Sequence, residues 1–316
     1  MKRDTTFYWK HLAKIMSFAN HPRKIILPFG PPGFSSRVGF ALQPHLSEFL
    51  KTEVTFEHIT GGFGGSNGPT AAAKCAPDGY SLLLATIGNI ALLPNIFPDY
   101  SIDPIKSFEP ITKIASTPNI LVARSGLGVM SLNDVLRIAK EKPGKLKFHG
   151  INERSIHMLE FKSLIAETDI QLHSIKPDGG SEGAIDAIKT GKVDLIITTG
   201  PRLLEGTRSK DFIAIASISD QRTPFYPEIP TMKELGLNTI GGGSWTGLFA
   251  PKGVSNKILE EIFEATVNAS KKSSVIQQLS EQAASIDLNK SLKDAVTFVK
   301  NETERLRKAC IVSNFS

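Results

Sequence analysis

Short apolar, β-branched runs alternate with helix-period stretches along the chain, and several of the strand-like runs end in turns rich in glycine, serine or threonine that lead into helices. This order is the pattern of an α/β protein with mostly parallel strands, because a parallel pair needs a crossover long enough to hold a helix. Residues 24–29 (KIILPF) read as a buried first strand, which Pro31-Pro32-Gly33 then turns. Ser35 and Ser36 are placed to cap a helix reaching Leu50, with Pro44 expected to kink it or move its start. Further strands are expected at 53–59, 81–86, 119–124, 146–150, 170–175, 193–198, 212–218 and 247–251. Helices are expected at 66–75, 131–141, 155–167, 181–190, 255–271 and 291–309. Strand-like stretches near 116–126 and 238–251 permit a chain that leaves one lobe, builds a second and returns, with a ligand cleft between them.

Composition excludes more than it identifies. With 316 residues, 41% hydrophobic and 22% charged, the chain has the profile of a globular protein large enough for two lobes. Its formal charge of +6 is concentrated at one end: residues 1–24 carry +5, which leaves about +1 for the rest. A nearly neutral body offers no phosphate-tracking surface, so no nucleic-acid partner is expected. Cys75 and Cys310 lie far apart, without metal-ligand spacing, and their disulfide state is left open. The seven histidines form no HxH or HExxH, so no metal is proposed. Residues 1–23 are read as an extension that is poorly ordered or forms a short basic amphipathic helix. Their polar residues break up any apolar core of a standard export signal.

Chemistry-bearing patterns are sparse. Residues 61–68 (GGFGGSNG) lie between a strand and an alanine-rich helix, where glycine lets the backbone approach a ligand closely. They fit a dinucleotide fingerprint only with a misfit, after the wrong strand and without the ribose-binding acid, so no cofactor is assigned. A structural turn for close helix–sheet packing is the plainer reading. Residues 28–36, 178–181 and 198–201 are comparable turns, each after an expected strand, where ligand crevices of open α/β sheets form. No GxSxG elbow or P-loop is present, and His157, near Ser155 and Glu160, reads better as a surface or cap residue than as a catalytic base. The chain is therefore read as a non-enzyme.

Across residues 24–312 the chain resembles the Bug-type extracytoplasmic solute receptors, the substrate-binding components of tripartite tricarboxylate transporters. The resemblance rests on residues 24–29 with Pro31 and Gly33, on Gly62 to Gly68 followed by AAKCAPDGYSLLL at 72–84, and on Asp103-Pro104 with Phe108. It continues through PNILV at 118–122, GKVD at 191–194, PEIPT at 227–231, and Ser244-Trp245 with Gly247-Leu248 and Ala250-Pro251. It implies a type II periplasmic-binding-protein fold, with two lobes, a central cleft and two crossover strands. The expected division is an extension at 1–23, a first lobe from 24–123 and 244–316, and a second lobe from 124–243. The resemblance implies capture of a small organic acid for membrane permease components by a periplasmic monomer, although the absence of a visible signal keeps a cytoplasmic location open. It places Phe29, Gly33, Ser35, Ser36, Thr86, Asn89, Ser155, His157, Asp178, Thr198 and Thr199 at the ligand.

The chain departs from the family at ligand-facing positions. Ser36 stands where the family has an acid, Pro32 replaces a glycine, Pro177-Asp178-Gly179-Gly180 replaces Pro-Tyr-Lys-Gly, and Thr198-Thr199 replaces Asp-Asn. Arg37, Arg154 and Arg202 are weighed as a clamp for a second carboxylate, against the commoner role of solvated surface charges. The alternatives are a ligand-sensing module that controls a partner, an enzyme on the same fold, and a diverged receptor with altered or lost binding. A DNA-binding regulator of the LysR type would need more than 24 residues in front.

Overall fold

The computed structural model describes residues 21–315, apart from 32, 151–152 and 176–178. Most of the N-terminal extension and Asp178 therefore lie outside the described residues.

The first sheet is built on the buried β1 (Arg23–Leu27), which pairs in parallel with β2 (Val54–His58) and β3 (Ser81–Thr86). β1 opens one residue before the expected start, because Arg23 is itself buried and reaches Glu261 at 2.8 Å. α1 (Phe34–Leu50) connects β1 to β2 and turns Val38, Ala41, Leu42, Leu46 and Leu50 onto the sheet. Its N-cap is Gly33, so Ser35 and Ser36 lie in the first turn and do not cap it. Pro44 does not break the helix. It sits on the solvent face, where water can take up the carbonyl that loses its intrahelical partner.

The glycine-rich turn at 61–65 leads into α2 (Asn67–Ala72) and on to β3. A π-helical turn, Gly88–Leu92, and the short α3 (Leu93–Ile96) follow. β4 (Phe108–Thr117) is a ten-residue strand absent from the sequence reading. Pro110 obscured it: a proline cannot donate to the ladder, and here it lies beside a register shift against the returning strand.

Pro118 alone separates β4 from β5 (Asn119–Arg124), which pairs with β8 (Leu195–Thr199) and β9 (Phe212–Ser217) in a second sheet. The chain thus changes sheet at Pro118. β6 (Lys147–His149) and the two-residue β7 (His173–Ser174) complete this sheet in the order β7-β6-β8-β5-β9. Its helices are α4 (Leu132–Glu141), α5 (Ile156–Thr168), α6 (Gly180–Lys189) and α7 (Gly200–Ser209), the last not foreseen.

The chain returns through β10 (Ser244–Pro251), antiparallel between β3 and β4. It then forms α8 (Asn256–Ser270), α9 (Ser273–Ser280), β11 (Ser285–Ile286) and α10 (Leu292–Val312). The first sheet has the order β11-β4-β10-β3-β1-β2. The two crossings touch. Gly241, Gly242 and Gly243 all have positive φ, and a Cβ on Gly243 would lie 2.7 Å from the Thr117 carbonyl oxygen. One apolar cluster, including Ile26 and Leu83 of the first lobe and Leu121, Phe148 and Phe161 of the second, joins the two lobes. Cys75 and Cys310 are unpaired. Among the described residues no helix is long and apolar enough to cross a membrane.

Candidate functional site

Between the lobes lies a cleft of about 520 Å³. It sits at the carboxyl ends of parallel strands, where loops pass into helices. The first lobe contributes Phe29, Gly33, Phe34 and Ser35 from the β1–α1 turn, and Thr86, Ile87 and Gly88 after β3. The second contributes Ser155, Ile156 and His157 at the start of α5, Gly179, Gly180 and Glu182 at the start of α6, and Thr199 and Arg202 around the start of α7. Ser244 and Trp245, where the chain re-enters the first lobe, also line it.

Four helices therefore begin at this cleft. The first amides of a helix have no intrahelical acceptor and carry its positive partial charge, so the walls favour an anion. Two buried polar atoms are aligned with this feature. Ser35 Oγ and His157 Nε2 have no hydrogen-bond partner among the described residues, although both side chains line the cleft. Burial pushes the His157 imidazole down to about 4, so at neutral pH it is uncharged and offers one N–H and one lone pair.

Of the eleven residues assigned from the sequence, seven meet at this cleft: Phe29, Gly33, Ser35, Thr86, Ser155, His157 and Thr199. Ser36 does not line it. Its hydroxyl donates to the carbonyls of Phe29 at 3.2 Å and Gly30 at 3.0 Å, and so fixes the first loop. Asn89 is also behind the wall: its Oδ1 accepts from the Thr86 amide at 3.0 Å, which sets the turn that presents Thr86. Thr198 is buried in β8 opposite Ile120. In the strand alternation it faces away from the side that presents Thr199.

Arg37, Arg154 and Arg202, which the sequence leaves open between carboxylate clamp and surface charge, all line the cleft. Arg202 stands 3.4 Å from Glu182, which is mostly exposed. Trp245, part of the Ser244-Trp245 fold motif, also faces the cleft. Its indole N–H donates to Glu302 at 2.8 Å, and Glu302 also receives two bonds from Arg305. Burial alone would raise the Glu302 carboxyl, but Arg305 and the indole outweigh it and hold it below its usual range. Arg305 in turn donates to the carbonyls of Ile240 and Gly241 in the second crossing. This links the cleft wall to the hinge.

A second polar chain lies at the hinge itself. Ser244 Oγ donates to Asn119 Oδ1 at 2.9 Å, and Asn119 Nδ2 donates to Glu160 Oε1 at 2.7 Å. Burial pushes the Glu160 carboxyl up to about 8, against the opposing pull of the Asn119 amide and the Arg305 charge.

Two sheets joined by two crossings, with helix N-termini facing an intervening cleft, define a type II periplasmic-binding-protein fold. The solved structures agree. A periplasmic transporter superposes with a TM-score of 0.84 at 25% identity, covering 93% of this chain and 98% of the other. MatC from Rhodopseudomonas palustris, with bound malate, gives 0.80 at 23%, covering 91% and 98%. An R. palustris protein with adipate gives 0.83 at 22%, covering 93% and 98%.

Residues 41–314 match the family model described as the tripartite tricarboxylate transporter family receptor, TctC, and the chain belongs to that family. Among curated relatives, Protein BugT of Bordetella pertussis is 27% identical over 271 residues, covering 85% of this chain and 82% of BugT. A UPF0065 protein of the same organism is 24% identical over 289 residues, covering 92% and 88%.

Proposed function

We propose that the protein is a solute-binding receptor that captures a small organic acid between its lobes and delivers it to the membrane permease components of a tripartite transporter. The observation that carries this reading is the convergence of four helix starts on one cleft, with Ser35 Oγ and His157 Nε2 buried there without partners. A carboxylate satisfies both features at once, since it accepts from first-turn amides and from hydroxyl and imidazole N–H groups. Malate and adipate in two structural neighbours are dicarboxylates, and Arg37, Arg154 and Arg202 provide cations for a second charge. The protein acts by binding, without chemistry on the ligand, and as an extracytoplasmic monomer. Its lobes are residues 23–117 with 244–315, and residues 119–243.

The test is a thermal-shift panel on the full chain with mono-, di- and tricarboxylates, amino acids and uncharged isosteres. A ligand at about 100 times its dissociation constant stabilises by roughly 2.7 kcal/mol. For a protein of this size that raises the midpoint by several degrees. A dose-dependent rise confined to carboxylates is expected. Equal shifts with uncharged isosteres, or none across the panel, contradict the reading.

A further inference from the structure

The most glycine-dense turn in the sequence is scarcely used by the ligand cleft, to which only Gly64 of residues 61–68 contributes. Its geometry is nevertheless tightly determined. Gly61, Gly62, Gly64 and Gly65 all have positive φ, and a Cβ on Gly62 or Gly65 would press on Ser66 Oγ or the Phe29 ring. The one residue with a side chain inside this wrap is Phe63, and it is 42% exposed.

Phe63 is nonetheless packed against two other rings. It stacks on Phe97, with ring centroids 3.7 Å apart and planes inclined by 21°. Tyr100 meets it edge-on, and the Tyr100 hydroxyl is fixed by the Asn89 carbonyl at 3.1 Å. All of these residues belong to the first lobe. The Arg154 guanidinium carbon, from the second lobe, lies 4.2 Å from the Phe97 ring centroid. Phe63 already occupies one face of that ring, so Arg154 covers the other. Arg154 immediately precedes Ser155, the cap of α5, and lines the cleft itself.

We propose that Arg154, Phe97 and Phe63 form a clasp that fastens the two lobes across the cleft, with the glycine-rich turn as its base and Arg154 as a positioning residue for ligand capture. This rests on the reading that the lobes open and close around a ligand. A guanidinium stacks on an aromatic face through both its charge and its plane. The stack joins parts that separate when the cleft opens, so it favours the closed arrangement whether or not ligand is present. Apparent affinity scales with the fraction of molecules in the competent state, so the Phe63–Phe97 side of the clasp tunes capture without touching the ligand. Phe97 does not line the cleft, so its removal weakens the clasp without deleting a wall residue.

Pulsed electron–electron resonance on the full, ligand-free chain tests this. Spin labels are placed at Glu57→Cys and Asp186→Cys, exposed positions on the two lobes, in a Cys75→Ser background with Cys310 buried. Phe97→Leu and Arg154→Leu should each move the closed-to-open ratio towards open by about 2- to 30-fold. The double variant should move it no further than either alone, because both remove one interaction. Arg154→Lys, which keeps the charge and loses the plane, should fall between. Arg154 is exposed, so its variants report even if Phe97→Leu folds poorly. Two distance populations whose ratio is unmoved, or moves towards closed, in both leucine variants overturn the clasp and leave the capture reading standing. A single unchanging distance in every variant also overturns the clasp, while the capture reading is decided separately by the carboxylate panel.

Discussion

Glu160 and His157 lie three residues apart on α5, and burial acts on them in opposite senses. The Glu160 carboxyl is raised to about 8 in the folded chain, so over roughly pH 4.5 to 8 the native state binds the extra proton. That contribution to stability is complete at low pH and drains away as pH rises through the window. The His157 imidazole is lowered to about 4, so between about 4 and 6.5 the unfolded chain binds the extra proton, and stability is lost as pH falls. Glu160→Gln keeps an acceptor for Asn119 and cannot ionise. It should be more stable than wild type at pH 8 by more than about 1 kcal/mol and nearly equal to it at pH 5, read from urea unfolding at both values. An unchanged difference between the two pH values would show that Glu160 is not the buried acid. His157→Gln should instead flatten the acid limb of the same profile.

α1 shows how an element survives a residue that argues against it. Pro44 removes one intrahelical bond, yet the buried stripe from Val38 to Leu50 packs on the first sheet and keeps the helix continuous past it. The site is exposed, so Pro44→Ala should restore the bond without disturbing the core and stabilise the protein by about 1–3 kcal/mol in urea unfolding. A loss of stability would mean that the proline sets a bend the packing needs. The same balance between local signal and tertiary context decides what could be read in the sequence. Buried strands such as β1, β3 and β5 were legible because their apolar runs are uninterrupted. β4 was not, because Pro110 and the polar residues along it hide a strand whose pairing is with β10, more than a hundred residues away. The strand-to-helix turns were legible through their glycine, serine and threonine content. Which side chain of a turn faces the cleft was not: Ser35 and Ser36 are identical in the sequence, and only the helical rotation separates the wall from the loop anchor. The arginines were ambiguous for a related reason, since a charge carries no local mark of which surface it will face.

On the scale of the molecule, function follows from how the two lobes are joined. Pro118 and the run Gly241 to Gly243 make both crossings narrow, while Arg305, Asn119 and Ser244 tie them to the cleft wall and to α5. A ligand that bridges helix starts from both lobes thereby stabilises one relative orientation of the two, which is the state a transporter can recognise. In this mechanism one carboxylate touches both lobes at once. Amide hydrogen exchange, with and without the acid that gives the largest thermal shift, reads that contact. Slower exchange is predicted simultaneously at residues 33–37 of the first lobe and 155–158 of the second. Protection confined to one lobe, or located away from both helix starts, would contradict it.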